Sequence, residues 1–380
     1  MSAEYDVIVV GVGGMGSAAL YQLARRGKKV LGLERFDIPH AHGSSHGISR
    51  IIRLPYYEDP AYVPLLRRAY DLWRELEAAT GRKLLVTTGS IDASPEDDPL
   101  FQGALRSARE HGLSHEVLTG SAVNARFPGY NLPAGHRALF QPDGGLIASE
   151  RAIVAHVEAA QRCGAAVHAR EPMTEWEAGP AGVRVATTKG TYRAQRLVFT
   201  TGAWIGEQVS SLSGKAVPER QVLAWLQPLQ SERFTTATFP VFNLQVDAGR
   251  YYGLPIYDVP GFKFGRYHHL GETGPADDLA SDATARDEDL LRSFAERYFP
   301  SGAGPTLALR ACMFTNTPDE HFILDHHPQH RNVVLVSPCS GHGYKFCSVI
   351  GEIIADLASG AGTTRLDIGF LRSRRFEHAA

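Results

Sequence analysis

Cysteine is scarce in this chain: only Cys163, Cys312, Cys339 and Cys347 occur, and no C-x-x-C is among them. That usage excludes a disulfide framework and a zinc ribbon, and it fits free thiols in a reducing cytoplasm. Net charge is nearly absent too. The 39 Lys and Arg against 41 Asp and Glu leave −2, so no basic field exists to hold nucleic acid. No apolar run reaches the roughly 18 to 20 residues that a membrane span needs. A signal peptide is not expected, because Glu4 and Asp6 stand where a positive region belongs and Val7-Ile8-Val9-Val10 is short. The sixteen histidines show no H-E-x-x-H or similar metal spacing. What remains is a soluble, cytoplasmic protein of 380 residues, too long for one ordinary core and suited to two joined domains.

What is present begins with strand, tight turn, helix and strand. Tyr5 to Val10 is a β-rich run, Gly11 to Gly16 a turn, Met15 to Arg26 a helix by apolar spacing, and Lys29 to Leu33 a second strand. Residues 58–79 and 149–162 read as amphipathic helices, the latter with Ser149 as its N-cap. A strand at 166–169 follows, then a hairpin around Lys189-Gly190, then a separate buried strand at 197–200. Residues 220–269, rich in aromatic and β-branched residues with Pro and Gly punctuation, read as antiparallel strands. The end returns to strand (332–336), glycine turn and helix (346–358).

The first turn carries G-x-G-x-x-G at Gly11, Gly13 and Gly16. One glycine makes the turn, the next lets backbone approach a pyrophosphate, and the third lets helix and strand close up. The helix N-terminus offers free N–H groups to phosphates. Glu34 ends the second strand, where a carboxylate can hold an adenosine ribose. Strand, helix and acid together point to dinucleotide binding, without separating FAD from NAD. Two later segments favour FAD: Leu197 to Trp204 resembles the strand-then-glycine signature that FAD proteins of the amine-oxidising type carry in mid-chain, and Ser340-Gly341-His342-Gly343-Tyr344-Lys345-Phe346 opens a helix whose dipole could face a flavin edge, although alone it would read equally as an ordinary Gly-rich loop.

With these segments in view, the chain resembles the monomeric sarcosine oxidase and N-methyltryptophan oxidase family of the D-amino-acid oxidase superfamily. The resemblance spans nearly the whole chain. It rests on the N-terminal fingerprint, on His42 to Arg53, on Leu139 to Gly145, on Tyr251 to Pro255, on Cys312 to Phe322 and on Ser340 to Phe346. It implies an α/β protein: a Rossmann-like FAD-binding domain with an inserted mixed, largely antiparallel substrate domain. The expected division is 1–84, 145–215 and 318–372 for FAD, and 85–144 and 216–317 for substrate. It further implies a flavin bonded through its 8α carbon to Cys312, with Arg310 a nearby cation that could favour the thiolate. The implied reaction oxidises the C–N bond of a secondary-amine amino acid to an imine, which hydrolyses, while O2 becomes hydrogen peroxide.

The resemblance assigns further roles residue by residue. Gly11, Gly13, Gly14, Met15, Gly16, Glu34, Arg35, Ser44, His46, Arg50, Cys312, Gly341, Gly343 and Lys345 would hold FAD. Arg53 and Lys345 would bind the substrate carboxylate, as a planar guanidinium and an ammonium can. Lys263 would activate O2, although periodicity alone also allows a solvated strand lysine opposite Phe262 and Phe264. Tyr252 would face substrate, and His342 would contact flavin or substrate or be a satisfied structural histidine. Two departures touch the substrate side. Phe314 stands where sarcosine oxidase has tyrosine, and one extra residue follows Lys263, so either His268 or His269 could face the site. A monomer is expected. A flavin dehydrogenase with another electron acceptor, or a flavin-binding subunit without turnover, would share the fold.

Overall fold

The computed structural model describes residues 4–360 and 364–376. Tyr5–Val10 forms the centre of an eight-stranded sheet. Val30–Leu33 pairs with it in parallel on one side and Thr191–Phe199 on the other. Ala166–His168 and Val333–Ser337 extend this parallel core outward. Parallel strands must be covered on both faces. On one face lie three buried helices, Gly14–Ala24 packed between Ser149–Arg162 and Cys347–Ala358. The antiparallel ribbon of Met173–Gly179 and Gly182–Thr187 continues from Thr191–Phe199.

Two local expectations need correction. Residues 191–199 are one strand, because its first half pairs with the ribbon and its second half with Val333–Ser337. Ser149 is not an N-cap. Ala148 holds that place, and the Ser149 hydroxyl donates instead to Glu150 Oε2 at 2.6 Å.

A second eight-stranded sheet runs in the order Thr306–Asn316, Val217–Leu226, Phe262–Arg266, Gly249–Leu254, Val241–Val246, Ser90–Pro95, His136–Gln141, Glu116–Thr119. All its neighbours are antiparallel except Ser90–Pro95 with Val241–Val246. One face is sealed by Phe242, Phe262, Phe264, Phe294 and Phe299. Phe294 belongs to helix Ala285–Tyr298, which the sequence reading passed over although Thr284 and Asp287 form its capping box. The other face turns toward the first sheet. Between them sits a small antiparallel sheet of Ser49–Ile52, Gly145–Ala148 and Leu85–Thr87. Strands of the first sheet come from residues 5–33, 166–199 and 323–337, and those of the second from 90–141 and 217–316. Among the described residues, no helix is long and apolar enough to cross a membrane.

Candidate active site

One cavity joins the two sheets. It begins at the glycine turn, lined by Gly11, Gly13, Gly14, Met15, Glu34 and Arg35, and passes Ser44, Arg50 and Cys312. It ends among Arg53, Asn243, Tyr252, Tyr267, Phe314, Gly341, His342, Gly343 and Lys345. Gly16 works behind this wall: a Cβ there would fall 1.8 Å from Gly11 O, so helix and strand could not close. At Gly13 the same test meets only Ser45 Oγ at 3.5 Å, which leaves the backbone open to a ligand. Glu34 holds the turn, accepting from Val12 N at 2.7 Å and Phe36 N at 3.0 Å. Ser44 Oγ and Thr201 Oγ1 line this part of the cavity as buried atoms without protein partners. Buried orphan hydroxyls need a partner, so the cradle fits a long polar cofactor such as a dinucleotide. Arg35 faces its rim, its guanidinium bidentate to Asp277 at 2.9 and 3.1 Å.

The loop before Ser49–Ile52 organises the middle. Ile48 has φ +75°, a costly setting for a β-branched residue. Glu150 stabilises it by accepting from Gly47 N and Ile48 N at 2.7 to 3.0 Å. This geometry aims the carbonyls of Gly47 and Ser49 at Lys263 Nζ, which donates to them at 2.7 and 2.5 Å. Lys263 is therefore no solvated strand lysine. It is 2% exposed, opposite the core-facing Phe262 and Phe264, and burial followed by the charge of Arg50 holds its pKa well below the ordinary value. It stands behind the cavity wall formed by Ser49 and Arg50. Arg50 donates to the carbonyls of Ser44, His46 and Ser49 and reaches Cys312 Sγ at 3.8 Å. The expectation for Arg310 fails. Its side chain is exposed and donates to Leu309 O, so Arg50 is the cation beside the cysteine. His46 is buried behind the wall; its carbonyl serves Arg50, and burial lowers its ring pKa to about 4.

At the far end Arg53 is 1% exposed. Its Nη2 donates to both oxygens of Glu58 at 3.0 and 3.2 Å, its Nη1 to Pro55 O, and its Nε lies 3.5 Å from Asp92. Burial is the largest single influence at Glu58 and opposes charge, yet the positive charges of Arg53, His342, Lys345 and Arg250 together hold that carboxyl at about 2. Asp92, farther from the guanidinium, is raised by burial to about 6. Lys345 Nζ donates to His342 O at 2.7 Å, and burial, then Arg53, lowers its pKa to about 7. His342 has both ring nitrogens engaged: Nδ1 meets the Tyr56 hydroxyl at 2.6 Å and Nε2 meets Glu320 O at 2.9 Å. A carbonyl can only accept, so Nε2 carries the proton. The ring has no free nitrogen for flavin or substrate.

His268 and His269 diverge. His268 is 45% exposed outside the cavity lining, between Glu219 at 2.8 Å and Glu320 at 3.3 Å, and near the Phe314 ring. His269 is fully buried on Asp287. Sequence reasoning missed Glu58, Asp92, Asn243, Tyr56 and Tyr267. The signal available was a polar residue inside an otherwise apolar strand, as in Ile91-Asp92-Ala93 and Phe242-Asn243-Leu244.

A parallel sheet with a glycine turn, a ribose-height carboxylate and a cavity ending at buried cations defines a dinucleotide-dependent enzyme of α/β type. Comparison with known proteins narrows this. Residues 6–357 match the family described as DAO, FAD dependent oxidoreductase. Monomeric sarcosine oxidase of Streptomyces avermitilis is 42% identical over 100% of both chains. N-methyl-L-tryptophan oxidase of Yersinia pestis (strain Pestoides F) is 36% identical, covering 93% of this chain and 94% of its own. Among solved structures, NikD, an unusual amino acid oxidase essential for nikkomycin biosynthesis, superposes with TM-score 0.84 at 26% identity, over 98% of each chain. The chain belongs to the FAD-dependent oxidoreductase family.

Proposed function

We propose that the protein is an oxidase of N-methyl or other secondary-amine amino acids, with FAD bonded to Cys312 and O2 as the electron acceptor. One observation carries the reading: a single cavity leads from the dinucleotide turn past Cys312 to Arg53 and Lys345. The named activities of the relatives support it. FAD, when bound, would supply the acceptor for the two electrons of the C–H bond that is lost as C–N becomes C=N. The chain supplies position and charge. Arg53 and Lys345 take the substrate carboxylate, which competes with Glu58 for the guanidinium. That fixes the amine carbon at one distance from the cysteine end of the cavity. Tyr252 closes the side wall, and its ring lies T-shaped on Tyr267 at 5.2 Å. Lys263 holds positive charge beside the region where O2 gains electrons. His342 orients Tyr56 and lends its carbonyl to Lys345. The protein acts as a monomer, with the first sheet in the cofactor domain and the second in the substrate domain. A screen of secondary amino acids under air, read as hydrogen peroxide, tests this. Reduction of the bound flavin without peroxide would instead indicate a dehydrogenase with another acceptor.

A further inference from the structure

The strand register lays a polar strip across the second sheet. Asn243 pairs with Asp92, Tyr252 with Asn243, and Gly265 with Tyr252, so the four residues stand side by side. Registered partners present their side chains on one face, here the face of Lys263 and not that of the phenylalanine core. Gly265 makes room for its neighbour, since a Cβ there would lie 2.6 Å from the Tyr252 hydroxyl oxygen. Asn243, Tyr252 and Tyr267 share the cavity wall with Arg53 and Lys345.

The Asn243 amide has one sensible orientation. Its Nδ2 donates to Asp92 Oδ1 at 2.8 Å. An ionised carboxylate only accepts, so the amide nitrogen must face Asp92 and Oδ1 must face away. Oδ1 then meets only the Tyr267 hydroxyl, at 3.5 Å, the outer limit of a hydrogen bond. Asp92 itself is fully buried, and its Oδ2 has no hydrogen-bond partner. Besides its 3.5 Å approach to Arg53 Nε, Asp92 spends its side-chain hydrogen bond on the amide, which leaves Asn243 Oδ1 turned from Asp92 and poorly paired.

Resting on the reading of this cavity as an amino-acid oxidase site, we infer that the strip is a side-chain subsite. It selects secondary-amine α-amino acids whose side chain donates a hydrogen bond to Asn243 Oδ1, through an amide, hydroxyl or indole N–H. An apolar side chain of the same shape leaves that oxygen unpaired, and sites built for hydrogen bonds reject such analogues. A carboxylate side chain sets acceptor against acceptor. Asp92 is a positioning residue that acts through Asn243.

The test uses purified holoenzyme and three substrates of similar shape, N-methyl-L-asparagine, N-methyl-L-leucine and N-methyl-L-aspartate, with sarcosine as reference. The asparagine derivative should exceed the leucine derivative in kcat/KM by about tenfold or more, with the aspartate derivative poorest. Asn243→Leu should bring the asparagine-to-leucine ratio to about one. Asp92→Asn gives the strip an amide that can also donate, so the Asn243 amide can turn over and present its Nδ2 to the cavity. The aspartate-to-asparagine ratio should then rise, and the rise should vanish in Asp92→Asn combined with Asn243→Leu, which mere loss of the Asp92 charge would not cause. Each ratio is taken within one protein, so partial loss of fold or flavin cancels, and the wild-type ratio decides alone if a variant does not fold. A wild-type leucine derivative equal to or better than the asparagine one overturns the inference while the oxidase reading stands. So does an unmoved aspartate ratio in Asp92→Asn. If no amine, sarcosine included, bleaches the bound flavin, the oxidase reading falls and this one with it.

Discussion

Arg50 Nη2 stands 3.8 Å from the sulfur of Cys312, although the two residues are 262 positions apart in the chain. Three backbone carbonyls fix the guanidinium there, so a permanent positive charge faces the sulfur proposed to carry FAD. Acid precipitation of the holoenzyme should leave the yellow colour with the protein, and the labelled peptide should contain Cys312. Cys312→Ala should release the flavin to the supernatant. Arg50→Met should slow the acquisition of bonded flavin by apoprotein, followed over time in denaturing gels by fluorescence. A label on Cys339 or Cys347 would sink the assignment.

Arg53→Met should lower kcat/KM for amino acids by roughly a hundredfold or more, since breaking a buried ion pair costs about 3 to 5 kcal/mol. Neutral amides of the same substrates should be poor for wild type. Equal rates for acid and amide would refute the carboxylate clamp.

Lys345 adds a pH signature. Burial holds its pKa at about 7, so in the free protein its ammonium is present below that pH and lost above it. Affinity for methoxyacetate, an acid with no amine to titrate, should therefore fall as pH rises through about 7. Flavin absorbance difference spectra report the binding. In Lys345→Met binding should be weaker throughout and this step absent.

Lys263→Met should slow reaction of the reduced enzyme with O2 by orders of magnitude and slow anaerobic reduction by substrate far less. A fixed cation near developing superoxide charge acts strongly in a water-poor site. Stopped-flow mixing separates the two halves. An unchanged reoxidation rate would reduce Lys263 to a brace for the Gly47 and Ser49 carbonyls.

His268 should show in stability. Hydrogen bonds to Glu219 and Glu320 raise its pKa from 6.5 to about 9. A raised pKa stabilises the fold fully below the ordinary value and ceases to do so as pH climbs through the raised one. The Tm advantage of wild type over His268→Gln should be greatest near pH 6 and vanish by about pH 10. The advantage should be modest, because the ring is half-exposed and its pairs are screened.

The opening strand, turn and helix were legible because their signals are local: a glycine turn, a helical period and a carboxylate at a set distance. That Cys312, Arg53 and Lys345 line one cavity was legible by resemblance. The neighbour of Cys312 was not. Arg310 is close in sequence, but contact is decided by folding, which brings Arg50 there instead. The row of Asp92, Asn243 and Tyr252 was hidden for the same reason, since sheet register joins residues up to 160 positions apart. The Thr284 to Asp287 capping box, by contrast, is a local signal that the sequence carries by itself.

The order of strands in the first sheet also constrains how the chain is made. Tyr5–Val10 leaves the ribosome first, yet its neighbour Thr191–Phe199 and the next strand, Val333–Ser337, emerge far later. Helix Cys347–Ala358, which covers Gly14–Ala24, comes later still. The glycine turn therefore waits, apolar and unsheltered, until these later segments have been made. Nascent chains stalled before residue 333 should be held by chaperones and unable to retain flavin, whatever the quality of their own sequence.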